Sequence, residues 1–147
     1  MGIFVENTES FYNMINNLLE MNNIERHSYE KEINDPHVTL RHYSENKPFL
    51  DSLFGKEVEV TITHYGYDDI LGNEGVKISF KNVPDIPELK EMIITNGKRI
   101  GGMDNYHITL SIGKDSKAKD TKDIRNWIPL KKKKTIKMIV DGFDKNK

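Results

Sequence analysis

The sequence contains no cysteine, which excludes disulfides, thiolate nucleophiles and cysteine-based zinc sites. No stretch approaches the roughly 18 consecutive apolar residues of a membrane span, so no membrane association is expected. The opening residues, Met1 to Glu6, lack the basic and long apolar regions of a secretion signal. Glu6 stands where a myristoylation motif needs Ser or Thr. These absences make a soluble, cytoplasmic protein the expected reading. A dominant charge is also missing: 22 Lys/Arg face 23 Asp/Glu, so the chain is not a generic basic nucleic-acid binder. Gly101-Gly102 fits neither Gly-x-x-x-x-Gly-Lys-Ser/Thr nor Gly-x-Gly-x-x-Gly, which excludes nucleotide-triphosphate and dinucleotide enzymes and leaves a connector or a lid. The 5 histidines show no tight His-x-x-x-His or His-x-His spacing, so neither a metal site nor a cofactor is expected.

What is present fits one domain of 147 residues, long enough to bury a core. Charge is unevenly spread: from Lys114 onward there are 12 Lys/Arg against 5 Asp/Glu. Such a basic third can attract a phosphate-bearing ligand, though a solvated lysine face explains it as well. Ile3-Phe4-Val5 reads as a short strand. Asn7 or Thr8 can cap a helix whose Phe11, Met14, Ile15, Leu18 and Leu19 recur at helical spacing, with Asn22-Asn23 ending it. Polar connecting chain leads to Asp35-Pro36, and His37 to Tyr43 reads as a strand. A short apolar piece follows Lys47-Pro48, around Phe49-Leu50 and Leu53-Phe54. Glu57 to His64 alternates strictly, Leu71 to Gly75 is turn chemistry, and Val76 to Phe80 is the antiparallel partner. Asp85-Ile86-Pro87 opens a second helix, with Leu89, Met92 and Ile93 inward and Asn96-Gly97 as the stop. Tyr106 to Ile112 is another strand, Asp120 to Trp127 a short helix ended by Pro129, and Thr135 to Val140 a last strand. Strands interleaved with few helices predict an α+β domain with mostly antiparallel sheets and flanking helices.

The informative feature is a repeat. His37-Val38-Thr39-Leu40 recurs as His107-Ile108-Thr109-Leu110, each inside a predicted strand. With 5 His and 8 Thr in the chain, composition arithmetic gives only about 0.01 such tetrapeptides by chance. Side chains at i and i+2 of a strand share a face. His37 and Thr39 therefore point one way and Val38 and Leu40 into the core, and likewise in the second copy. Two such strands brought together would present two imidazoles and two hydroxyls to one cleft. One imidazole can be neutral and its twin protonated near neutral pH, so one removes a proton from the attacking hydroxyl while the other donates to the leaving oxygen. The threonine hydroxyls can hydrogen-bond the non-bridging phosphate oxygens.

These two motifs, flanked by hydrophobic residues, resemble the signature of the 2H phosphoesterase superfamily, and the order of elements agrees over nearly the whole chain. The resemblance implies a bilobal α+β fold with internal pseudo-twofold symmetry. It implies that His37 and His107 form the catalytic acid–base pair, that Thr39 and Thr109 bind phosphate, and that the activity is metal-independent. Within the superfamily the compact size and the 70-residue motif separation are most similar to the phage anti-CBASS nucleases. Those enzymes cleave cyclic oligonucleotide messengers of a bacterial antiphage defence, which would place a phage-encoded relative in the cytoplasm of the infected host. The expected substrate is thus a cyclic di- or trinucleotide. RNA-repair members acting on 2′,3′-cyclic phosphates share the motifs, and a non-catalytic sponge for a cyclic messenger is a third reading. No obligate protein partner is evident.

Arg41 follows the first motif and is a candidate substrate contact, whereas Ser111 takes the cleft-facing position after the second, where many family members carry a basic residue. Tyr43 shares the cleft side of its strand by parity. Tyr65, Tyr106 and Trp127 lie near element ends, and all four rings are candidates for stacking on bases as well as for ordinary packing. His27 reads as a surface residue, His42 as core-side, and His64 as packing in preference to a substrate contact. Lys131 to Lys134 reads as a solvated edge guarding the last strand against aggregation, in preference to a fringe of the cleft.

Overall fold

The computed structural model describes residues 1–40 and 52–142. Arg41, His42, Tyr43 and the segment from Lys47 to Leu50 lie outside them. Among the described residues seven strands form one antiparallel sheet in the order β2-β6-β5-β4-β7-β1-β3. They are β1 (Gly2–Phe4), β2 (Lys31–Glu32), β3 (His37–Thr39), β4 (Glu57–Asp68), β5 (Asn73–Asn82), β6 (His107–Ile112) and β7 (Trp127–Asp141). Helix α1 (Thr8–Met21) joins β1 to the β2–β3 region and α2 (Pro87–Arg99) joins β5 to β6. The α+β class expected from the sequence is the class observed, and no helix among the described residues is long and apolar enough to cross a membrane.

Helix α1 begins where the sequence predicts. Asn7 is the cap and its side chain accepts from the Ser10 amide at 2.9 Å, satisfying one of the unpaired first-turn donors. Phe11, Ile15, Leu18 and Leu19 are buried with Tyr12. The helix ends at Asn22, and Asn23 takes the left-handed conformation at φ 58°, which asparagine tolerates better than most residues. The Asn22 side chain then donates to the Lys132 carbonyl and accepts from the Lys132 amide, both at 2.9 Å. A cap residue thus pins the helix to β7 as a neighbouring strand would.

Several boundaries depart from the expectation. The connecting chain before Asp35 contributes β2, which pairs with the end of β6; at two polar residues it is too short for a periodicity to show. The turn residues Asn73, Glu74 and Gly75 already belong to β5 and pair with β6. The Asn96-Gly97 pair does not stop α2. Gly97 is a helical residue packed beside the half-exposed Met103, and Gly101 and Gly102 at φ 101° and 134° supply the stop. Residues Ala118–Asp123 form a 3₁₀ turn, and Pro129 lies inside β7 instead of ending a helix. Its position faces His64 where the β4–β7 register shifts, a bulge that tolerates a residue without an amide hydrogen. Lys131 to Lys134 is exposed, but β7 lies between β4 and β1 in the sheet. That pairing with β1 covers only Ile139 to Asp141, so among the described residues the lysine stretch has a strand neighbour on the β4 side alone and sits on an open edge of β7, as the sequence predicts.

The sheet curls so that β3, its last strand, packs against β6 without a ladder between them. A single core runs through the molecule, with Ile3, Val38, Leu40, Val60, Ile78, Ile108 and Leu110 at 1% exposure or less. The inward residues of both repeated motifs are among its best-buried members. Burying such side chains contributes about 1.5–3 kcal/mol each, which holds the outward His and Thr residues rigidly by their neighbours.

Candidate active site

The two copies of the motif show the same accessibility pattern. His37 and Thr39 are partly exposed and Val38 and Leu40 buried; His107 and Thr109 are partly exposed and Ile108 and Leu110 buried. The curl of the sheet brings the exposed sets together. His37, Thr39, His107 and Thr109 all line one cavity of about 510 Å³, a size in the ~300–1,000 Å³ range of small-molecule sites.

Both imidazoles are oriented by the same device. His37 Nδ1 lies 2.8 Å from the backbone carbonyl oxygen of Asp35, and His107 Nδ1 lies 2.9 Å from that of Asn105. In each case the acceptor is two residues earlier in the chain. A carbonyl oxygen only accepts, so Nδ1 must carry hydrogen and Nε2 is the nitrogen left to exchange a proton. Burial pushes both imidazoles below the ordinary histidine range. Their other surroundings differ. The carbonyl at each Nδ1 opposes the shift in both; at His37 the Asp35 carboxylate opposes it further and the N-terminal ammonium adds to it, whereas at His107 Lys122, His37 and Lys77 all add to it. The cross-strand neighbours differ in the same sense: Phe4 pairs with His37, ring centroids 4.9 Å apart, and Lys77 pairs with His107.

The threonines are held differently. The Thr109 hydroxyl donates to Thr121 Oγ1 at 2.8 Å and lies 3.3 Å from the Ala118 carbonyl oxygen. Thr121 is fully buried and its oxygen also accepts from Asn73 Nδ2 at 3.0 Å. On the other wall, the buried Asn96 donates from Nδ2 to the Thr39 carbonyl at 2.9 Å, tying the last turn of α2 to the end of β3. Asn96, Arg99 and Ile100 follow at helical spacing and all line the cavity, and Lys119 and Lys122 line it from the 3₁₀ turn. Sequence reasoning missed these residues. The three-and-four spacing in α2 was the available signal, and reading Asn96-Gly97 as a stop concealed it.

The remaining candidates are placed elsewhere. Tyr65 is fully buried, donates to Glu74 Oε2 at 2.6 Å and accepts from the His27 amide at 2.7 Å, so it belongs to the core and no base can reach its face. Tyr106 touches the cavity but is 1% exposed. It donates to the Ile93 carbonyl at 2.7 Å and meets Phe80 edge-on, and burial pushes its phenol up to about 12. It is a wall of the cavity without an open face for stacking. Trp127 lies outside the cavity lining and covers the sheet where β4 and β5 carry glycine: a Cβ on Gly66 would stand 2.7 Å from its ring. Lys77 Nζ lies 5.2 Å from the Trp127 ring centroid, within cation–π reach. Arg41 and Tyr43 fall outside the described residues.

Ser111 does not face the cleft. Glu74 pairs with Ser111 but Gly75 with Thr109, so Leu110 is an extra residue that shifts the alternation. Ser111 is fully buried and donates to Glu74 Oε1 at 2.6 Å. The same carboxylate takes bonds from Arg26 Nε and Nη2 at 2.9 and 3.1 Å. A buried carboxylate with this many donors is a structural anchor under β6. His27 approaches Asp69 at 2.8 Å and stacks on Tyr67, and His64 approaches the Thr63 hydroxyl at 2.8 Å; neither lines the cavity. Lys131 to Lys134 does not line it either. Among the described residues no group of three or more His, Asp or Glu side chains is arranged to hold a metal ion.

No family model matches the chain and no curated protein matches it. A functional reading therefore rests on the repeated motif and on this geometry.

Proposed function

We propose that the protein is a phosphodiesterase of the 2H type that hydrolyses cyclic oligonucleotide messengers by acid–base exchange between His37 and His107. The observation that carries the reading is the matched pair of imidazoles lining one cavity, each with Nδ1 turned to the carbonyl two residues back and Nε2 left for chemistry. A symmetric bilobal plan is supported by the order of elements. Helix α1 separates β1 from β3 and α2 separates β5 from β6, and each strand pair is antiparallel and ends in a motif histidine. In the anti-CBASS role such an enzyme would remove the signal of a bacterial defence.

The first step joins a ribose 2′-oxygen to the adjacent phosphorus as its proton passes to one Nε2. The bond to the 5′-oxygen breaks, and that oxygen receives a proton from the other Nε2. A water then opens the 2′,3′-cyclic phosphate with the two roles exchanged, which returns each imidazole to its starting state. The surroundings favour His107 as the first base, because Lys122 and Lys77 oppose its protonation, and His37 as the first acid, because Asp35 supports its charge. The Thr109 hydroxyl can turn to a phosphate oxygen when Thr121 donates to it in place of accepting, since Asn73 continues to satisfy Thr121.

The test is cleavage of a panel of cyclic dinucleotides, cyclic trinucleotides and RNA oligomers with 2′,3′-cyclic ends, with EDTA present and products identified by mass spectrometry. His37→Ala and His107→Ala should each lower turnover at least ~100-fold, the usual worth of a positioned acid or base, with melting temperature nearly unchanged. Preference for RNA ends would move the enzyme to RNA repair. Tight binding without cleavage would make it a sponge. Full activity in either single variant would remove the proposed roles.

A further inference from the structure

We propose that the cavity holds two phosphates of one ligand, the scissile one between the imidazoles and a second one on Arg99, Lys119 and Lys122. The inference rests on the phosphodiesterase reading for the place of the first phosphate.

The charge of the lining is the first argument. Among the described residues its fixed charges are the three cations Arg99, Lys119 and Lys122 against the one carboxylate of Asp35. A phosphodiester carries a single negative charge, which leaves the lining cationic when only the scissile group is bound. Arg99 and Lys119 have no carboxylate partner among the described residues, and Lys122 meets only Asp123, at 3.7 Å and exposed to solvent. An exposed pair of that length contributes little, so three like charges share one space with a single carboxylate, Asp35, to offset them. That costs free energy in the empty protein and is relieved by a bound polyanion.

The walls that carry these cations are fixed, which is the second argument. Arg99 follows Asn96 by one helical turn, and Asn96 is tied to the backbone of β3. Lys119 and Lys122 are three apart in a 3₁₀ turn, where such positions eclipse one another. That turn is anchored through Thr121 and Ala118 to Thr109. The backbone positions that carry the cations are therefore held in register with the motif threonines by hydrogen bonds. A cavity of about 510 Å³ exceeds the need of one phosphoryl group, and Ile33, Ile100 and Ala118 in its lining suit the apolar faces of sugar and base.

Two ligand classes share this chemistry: a cyclic dinucleotide, and a linear dinucleotide ending in a 2′,3′-cyclic phosphate. The experiment is calorimetric titration of the intact protein with hydrolysis-resistant phosphorothioate forms of both, beside the phosphorothioate of a 2′,3′-cyclic mononucleotide. Both dinucleotides are expected to bind at least tenfold tighter than the mononucleotide, with a steeper loss of affinity in salt. Arg99→Gln with Lys119→Gln should shrink that advantage below threefold, and Arg99→Lys should retain most of it. Arg99 and Lys119 are exposed, so melting temperatures should stay within a few degrees of the parent. Tighter binding of the cyclic ligand identifies the messenger, and of the linear one the RNA end; both support the second phosphate position. Equal binding of mono- and dinucleotides, or an advantage untouched in the double variant, overturns it. These are binding measurements, so a protein that cleaves nothing would end the phosphodiesterase reading while the two-phosphate site still stood or fell on its own result.

Discussion

A histidine that exchanges protons at one nitrogen must have its other nitrogen occupied, or the ring and its tautomer drift. The Asp35 and Asn105 carbonyls do this for His37 and His107, and they do it through backbone, so the side chains at 35 and 105 are free to differ. The two imidazoles become unequal through the charges around them. Asp35 supports charge at His37, while Lys122 opposes it at His107. Removing the cation with Lys122→Gln is expected to raise the His107 pKa and leave that of His37 nearly unmoved, read from the imidazole proton shifts in an NMR titration. Equal displacement of both rings would show that Lys122 does not act selectively.

At the scale of elements, the end of β6 and the 3₁₀ turn before β7 act as one unit. Gly75 lets them approach: a Cβ there would stand 2.7 Å from Thr121 Cγ2 and 2.9 Å from the Ile108 carbonyl oxygen. Backbone cannot yield as a flexible side chain can, so Gly75→Ala should push Thr121 away from Thr109. Overpacking of this kind costs about 1–3 kcal/mol, measurable by urea unfolding. If Thr109 is positioned through Thr121, kcat should fall by a larger factor than KM rises. A variant as stable and as active as the parent would show that the turn moves freely over the strand. The same register explains Ser111. The single extra residue at Leu110 sends it to the buried Glu74, and no count of alternating residues reveals a bulge in advance.

For the molecule as a whole, the cavity lies where the curled sheet brings its last strand, β3, against β6, and the two partly buried imidazoles leave a signature in stability. Both have folded-state pKa values below the ordinary 6.5, so the unfolded chain takes up protons first. Above about pH 6.5 neither state is protonated and these groups leave stability flat. As pH falls below that value stability is lost, by up to about 1.4 kcal/mol per pH unit for each histidine, until the folded-state values are passed. His64 is pushed the same way by burial and by Lys77 and Lys133. Urea unfolding at pH 7.5, 6.5 and 5.5 should show the decline, and His37→Gln with His107→Gln should flatten it; an identical slope in the double variant would contradict the assignment.

The sequence by itself determined the parts that depend on local order. The cap at Asn7, the apolar stripe of α1 and the alternation that turns His37, Thr39, His107 and Thr109 away from the core all follow from spacing of 3.6 or 2 along the chain. Only the tertiary structure decided what surrounds them. Arg99 reaches the cavity because α2 runs past Asn96-Gly97 and is tied to β3, and Lys119 and Lys122 because their 3₁₀ turn is bonded to Thr109. Tyr65 is withdrawn because Glu74, nine positions on, needs donors for a carboxylate it buries. Such outcomes are set by contacts between elements distant in sequence, and the energy that chooses among them does not exist until the sheet has closed.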